Sequence, residues 1–171
     1  MSQRVTQVCV KDVMNAPAVT VRGGTSLKET ARLMLDERIG CVLVVDANGE
    51  LKGIVSARDF CARMARVPFS TLELPQLFGH WLSSEGAEQA YAGAGSMPAR
   101  DIMRSPAYAV NESDPIDRVL ELMLRHNIGH VPVVRGKQPV GVVAGRDLLK
   151  LMLDHMHGEG GGDPCSRSRG F

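Results

Sequence analysis

Gly53-Ile54-Val55-Ser56-Ala57-Arg58-Asp59, GIVSARD, returns in the second half of the chain as GVVAGRD, Gly141 to Asp147. Both phrases keep the leading Gly and the closing Arg-Asp, while Ser56 is exchanged for Ala144. Laying one on the other brings the residues before them into register. KDVMNAPAVTVRGGTSLKETARLMLDERIGCVLVV, from Lys11, lies over RDIMRSPAYAVNESDPIDRVLELMLRHNIGHVPVV, from Arg100, at a constant offset of 89 (Asp12 to Asp101). Asp12, Met14, Pro17 and Gly40 match Asp101, Met103, Pro106 and Gly129, and the offset becomes 88 by Asp59 and Asp147. Two copies of about 50 residues indicate a duplication, since a solenoid needs at least three units.

Each copy has the same grammar. Leu27, Ala31, Met34 and Leu35 recur at helical spacing, as do Ile116, Leu120, Met123 and Leu124, so each copy carries one amphipathic helix. Thr25 or Ser26 can cap the first, and Asp114 followed by Pro115 suits the N-cap and first position of the second. Cys41 to Ser56 then reads as two apolar runs about an Asn48-Gly49 turn, a hairpin. His130 to Ala144 is its counterpart, one residue shorter at the turn. A further helix is expected from Phe60 to about Arg66 and from Leu148 to about Met156, and a short first strand near Ala18 to Val21 and near Tyr108 to Val110.

The expected fold class is therefore α/β (α+β): two β-α-β-β-α repeats packed about a pseudo-twofold axis. The apolar runs Val42 to Val45 and Val131 to Val134 call for sheets covered on both faces, so each copy should supply cover the other lacks. The expected divisions are 1–60 for the first repeat, 61–98 for a helical insert, 99–157 for the second repeat and 158–171 for a disordered tail. Within the insert, Leu74, Leu77, Phe78, Trp81 and Leu82 have helical spacing and lead to a Gly-rich turn at Gly93 to Gly95. That insert is read as an edge element, with a partner-binding patch as the alternative.

The bulk properties exclude several functions. Twenty basic against nineteen acidic residues give a net charge of +1, so no global field recruits nucleic acid. No run of about 18 apolar residues occurs, and Met1 to Val10 lacks a signal-peptide core, so neither membrane insertion nor secretion is expected. Cysteines 9, 41, 61 and 165 have no zinc or disulfide spacing, which fits a reduced, cytoplasmic protein. His155 and His157 make no closed metal site, and no Walker loop or catalytic constellation is present, so no enzyme and no catalytic cofactor are expected.

On physical grounds alone, an apolar strand running into Ser-x-x-Asp leaves two readings open. Ser56 or Asp59 can cap the following helix, or the hydroxyl and carboxylate can hold a ligand. The recurrence of Arg-Asp favours a site.

The repeat, with its DVM and DIM, its IGHVPVV and its G-h-h-S/T-x-x-D phrase, resembles the cystathionine β-synthase (CBS) domain, two of which in tandem form a Bateman module. The resemblance covers Val10 to about Phe60 and Ala99 to about Leu151. It implies a binding module for adenosine compounds, with AMP, ADP or ATP as regulatory ligand and S-adenosylmethionine as an alternative. Carried over by position, Asp59 and Asp147 are the ribose acceptors, with Ser56 supporting the first. A carboxylate is acceptor-only and takes two hydroxyl donors together. Ile54 and Val142 would line the base pockets. Val19, Ile39 and Gly40 would face the ligand of Asp147, and Tyr108, Ile128 and Gly129 that of Asp59. Arg58, Arg146 and His130 are the phosphate candidates, each with a bland alternative as a solvated helix-start or edge-strand residue; Tyr108 has ordinary packing as its alternative. Ala144 lacks the hydroxyl, so the two clefts should be unequal, with the Asp59 site the tighter. With no attached effector domain in view, the expectation is a stand-alone sensor, a homodimer that signals to an effector protein. A ligand-independent assembly module is the alternative.

Overall fold

The computed structural model of the protein describes residues 8–64, 93 and 95–157. The apolar spacing of 74–82, the tail from Gly158 and Cys165 lie outside the described residues. Among those described, two three-stranded sheets and four α-helices make up the fold. The first copy contains β1 (Thr20–Arg22), α1 (Leu27–Asp36), β2 (Cys41–Val45), β3 (Leu51–Ser56) and α2 (Ala57–Met64). The second contains β4 (Val110–Asn111), α3 (Ile116–His126), β5 (His130–Arg135), β6 (Gln138–Ala144) and α4 (Gly145–His157). The sheets run β1-β2-β3 and β4-β5-β6. In each, the first strand pairs parallel to the second across the helix, Thr20 opposite Leu43 and Val110 opposite Val133. β5 and β6 pair antiparallel through a two-residue turn at Gly136-Lys137, where Gly136 has φ 65°. A glycine meets no Cβ clash there.

The continuous apolar strands are covered as their composition requires. All of β2 is buried, and Val131, Pro132 and Val133 of β5 are too.

Several boundaries differ from the sequence reading, for local reasons. The first strands are Thr20–Arg22 and Val110–Asn111, so Tyr108 precedes its strand. The second helices start at Ala57 and Gly145, three residues early, because the amides of Ala57 and Gly145 find acceptors in the Gly40 and Gly129 carbonyls at 3.1 Å each. Those bonds satisfy N–H groups a helix start otherwise leaves open. Ser26 caps α1 in a full capping box with Glu29. Asp114, by contrast, is not the cap of α3. Pro115 holds that position, and the Asp114 carboxylate accepts from the Asn111 amide at 2.8 Å, closing the preceding turn. The Gly-rich turn expected at Gly93 to Gly95 is helical at both glycines.

The described residues divide into two compact units that cut across the sequence copies. One comprises those within Met1–Val19, Gly49–Leu51 and Pro106–Phe171, the other those within Thr20–Asn48 and Lys52–Ser105. The short helical turn Val10–Asp12 at the head of the first copy therefore belongs with the second. Val10 N–H donates to Asp114, Lys11 N–H to Glu112, and the first amide of α3, Ile116, donates to Val8 at 2.9 Å. Val8 and Val10 join Val110, Ile116, Val119, Leu122, Val131, Val133 and Val143 in one core. The turn Ala99–Asp101 plays the same part for the first copy: Ala99 N–H donates to Thr25, Arg100 N–H to Gly23, and Leu27 N–H at the start of α1 to Met97.

Candidate functional site

In each unit the strand that opens the repeated phrase runs beside the residue after DVM or DIM. Ile54 and Arg104 exchange backbone hydrogen bonds of 3.1 and 2.9 Å, and Val142 and Asn15 exchange bonds of 3.0 and 2.8 Å. The leading glycines allow this approach. A Cβ on Gly53 would stand 2.8 Å from Met103 Sδ and 2.9 Å from the Arg104 carbonyl; one on Gly141 would stand 2.7 Å from Met14 Sδ and 2.9 Å from the Asn15 carbonyl. The Gly of GIVSARD and the Met of DIM are thus two sides of one contact, as are the Gly of GVVAGRD and the Met of DVM, and each contact fixes which side chain meets the closing Asp.

For Asp59 that side chain is Arg104. Asp59 sits in the first turn of α2, and its Oδ2 accepts from the Ser56 amide and from the Ser56 hydroxyl, both at 2.7 Å. Arg104 Nη2 donates to Ser56 Oγ at 3.0 Å and approaches Asp59 Oδ2 at 3.4 Å. Arg104 Nε lies 3.0 Å from Asp59 Oδ1, an ion pair by distance. Its N–H is not aimed at that oxygen, however, and the nitrogen is buried without a hydrogen bond. The carboxylate is therefore charge-compensated, while one donor beside it is desolvated and unmet, a state that costs about 1–3 kcal/mol.

For Asp147 the corresponding side chain is Asn15. The Ala144 amide donates to Asp147 Oδ2 at 2.8 Å, repeating the backbone half of the arrangement, and Asn15 Nδ2 donates to the same oxygen at 2.7 Å. Lys150 Nζ stands 3.7 Å from Oδ1 on a well-exposed side chain. Asp147 is buried, at 6% relative exposure. Both aspartates thus act as helix caps, reaching back to the amide three residues earlier. Capping engages Oδ2 in each, which leaves Oδ1 as the oxygen able to meet something else.

Beside Asp59 lies a cavity of about 360 Å³, lined by Asp59, Ala62, Arg63, Met97, Asp101 and Ile102. Arg63, one helical turn beyond Asp59, donates from Nε and Nη2 to Met97 Sδ at 3.3 and 3.2 Å. Thioether sulfur is a weak acceptor, so a guanidinium is held at the cavity with most of its hydrogen-bonding strength unused. Cys41 is also in this unit. Burial is the main cause pushing its thiol up to about 12, with smaller opposed effects from the charges of Arg104 and Asp59.

The other sequence candidates are distributed as follows. Ser56 is buried and meets Asp59 directly, although its hydroxyl hydrogen is already donated to the carboxylate. Ile54 is buried in β3, and Val142 is half-buried opposite Pro132. Gly40 and Gly129 are exposed and give their carbonyls to the helix starts. Ile39 and Ile128 are half-buried and donate backward to Met34 and Met123, and Val19 is half-buried ahead of β1. Tyr108 stacks on His126, ring centroids 3.7 Å apart and nearly parallel. Arg58 and Arg146 are exposed at the helix starts, and His130 opens β5 opposite Ala144. Arg104, Asn15 and Arg63 were missed. The first two occupy matching positions at the offset of 89, just after DIM and DVM, so comparing the copies at that column would have exposed them. Arg63 was signalled by its four-residue spacing from Asp59.

Among the described residues, no cluster of three or more His, Cys, Asp or Glu could hold a metal ion, and no helix is long and apolar enough to cross a membrane.

Two parallel-paired β-α-β-β-α copies, each closing on a capping aspartate, define the class, and the family model for the CBS domain matches residues 10–66 and 99–154. The chain belongs to the CBS domain family, as a tandem pair. The CBS domain of a CBS domain containing membrane protein from Sphaerobacter thermophilus is 34% identical, with a TM-score of 0.69, covering 86% of this chain and 89% of that one. The CBS domain pair of protein MJ0100, in complex with 5'-methylthioadenosine and S-adenosyl-L-methionine, is 25% identical, with a TM-score of 0.65, covering 85% and 99%. L-aspartate semialdehyde sulfurtransferase of Methanocaldococcus jannaschii is 26% identical over 143 residues, which are 83% of this chain. This chain spans only 23% of that relative's length.

Proposed function

We propose that this chain is a regulatory module that binds adenosine nucleotides, AMP, ADP or ATP, with Asp59 and Asp147 as ribose acceptors, and signals occupancy to an effector protein as a homodimer. The observation that carries the reading is the repeated carboxylate at a helix start. Each aspartate is positioned by its cap through Oδ2, and each has Oδ1 outside the cap, beside Arg104 at Asp59 and Lys150 at Asp147, where a ligand donor would compete with the cation. A ribose diol supplies such donors, and a charged acceptor strengthens the bonds it receives. The apolar residues Ile54, Val142, Val19, Ile39, Ile128 and Tyr108 suit the base, and Arg58, Arg146 and His130 remain phosphate candidates, now joined by Arg63 and Arg104. An MJ0100 CBS pair holding two adenosine compounds supports the ligand class. The transmitted signal requires the ligand to bind two states of the module unequally.

Thermal unfolding with AMP, ADP, ATP and S-adenosylmethionine tests the reading. A ligand at about 100 times its dissociation constant adds about 2.7 kcal/mol, and the double variant Asp59→Ala, Asp147→Ala should lose that gain. Absence of stabilisation by all four would favour the ligand-independent assembly module.

A further inference from the structure

The two capped aspartates share backbone geometry and differ in what faces them. A guanidinium stands against Asp59 and a neutral amide against Asp147. This difference bears on charge, whereas the Ser56 to Ala144 exchange bears only on one hydroxyl. A donor entering at Asp59 Oδ1 competes with Arg104 for the carboxylate. If the incoming compound is uncharged, it loosens an ion pair and gives the guanidinium nothing in return. If it carries phosphate, the same guanidinium regains a bidentate anionic partner, and its buried, unbonded Nε gains the acceptor it lacks. At Asp147 no cation has to be displaced from hydrogen-bonding distance, because Asn15 donates to Oδ2 and Lys150 stays 3.7 Å away. The carboxylate there has as counter-charge only the solvent-screened Lys150, 3.7 Å from Oδ1, and so suits a neutral or cationic group better than a phosphate.

We propose that residues 104 and 15 set the charge of the ligand at each aspartate: Arg104 makes the Asp59 site selective for a phosphorylated adenosine compound, and Asn15 leaves the Asp147 site to an uncharged or cationic one. The proposal rests on the ribose-acceptor reading above. It adds a division of labour that the repeated phrase does not show.

The test uses the full chain with AMP and adenosine as probes, read by calorimetry. Asp147→Asn keeps an acceptor for the Ala144 amide while weakening the second site, so that Asp59 dominates the titration. In that background AMP should bind at least about tenfold more tightly than adenosine, a modest demand on one charge pair at close range. Adding Arg104→Asn should bring the two affinities within about threefold, and Arg104→Lys, which keeps the charge, should restore most of the preference. In the converse background, Asp59→Asn, the change Asn15→Arg should create a preference for AMP. Circular dichroism confirms that each variant is folded. Both probes binding with a ratio indifferent to residue 104 would overturn this proposal and leave the ribose reading standing. Neither probe binding the folded parent chain would overturn this proposal, and the ribose reading would fall with it only if ADP, ATP and S-adenosylmethionine also failed to stabilise the chain.

Discussion

Asp59 and Asp147 do the same work for the backbone and different work for charge, and stability should reveal it. Replacing either with Ala removes a cap bond worth about 1 kcal/mol. Asp59→Ala also strands the Arg104 guanidinium beside a buried hydroxyl, adding a penalty of about 1–3 kcal/mol. Urea denaturation should therefore show Asp59→Ala as the more destabilising change, and Asp59→Ala combined with Arg104→Ala as less than additive; equal, additive losses would contradict the coupling. Cys41 offers a second check. With its thiol raised from the ordinary 9.0 to about 12 by burial, it contributes stability in full below pH about 9. That contribution is lost as pH rises through about 12, since the unfolded thiol ionises first. In the native protein at pH 8, exposed Cys61 should alkylate well before Cys41, because the thiolate is the reactive form. Ser56 and Asp59 were legible in the sequence because they are three residues apart in a phrase that recurs. Arg104 left a weaker signal, the column it shares with Asn15, since 45 residues separate it from Asp59 and only the fold shows that this column meets the aspartate.

At the scale of elements, periodicity gave the helices and hairpins, and the misses cluster where a distant strand or turn supplies a bond. α2 and α4 start early because glycine carbonyls outside them take their first amides, and α3 begins at Ile116 because Val8 takes its own. Local capping rules see only the residues beside the helix, so Asp114 was read as a cap when it closes a turn instead. Where the rule and the geometry coincide, Ser26, one of the two caps the sequence offers, takes the position, and Glu29 completes the box; Ser26→Ala should cost about 1 kcal/mol. The glycines that open the repeated phrases make a larger prediction. Gly53→Ala and Gly141→Ala each force a methionine and a backbone carbonyl apart. Over-packing of this kind costs about 1–3 kcal/mol, in both units alike. Gly129→Ala, with nothing within 4 Å of an added Cβ, is the matched control, and thermal melts of the three variants should separate it from the other two.

At the scale of the molecule, duplication was legible and its interlacing was not. An alignment at constant offset displays which residues correspond, and it says nothing of which copy a connecting segment packs against. Here the turn Val10–Asp12 completes the core containing β4, β5 and β6, although it stands at the head of the first copy. A lesion there should be felt in the second. Val10 is fully buried among Ile116, Val119, Val131 and Val143, and Val10→Ala should cost on the order of 2 kcal/mol through lost burial and an incompletely filled space. Native-state hydrogen exchange reads where that loss falls, because protection reports local as well as global opening. Amides of β5 and β6 should lose protection more than those of β2 and β3, and Ala99→Gly, in the matching turn of the other unit, should show the reverse bias. If both variants lowered protection evenly across all six strands, the units would be opening as one cooperative body. The assignment of each turn to the opposite copy would then carry no separate energetic weight.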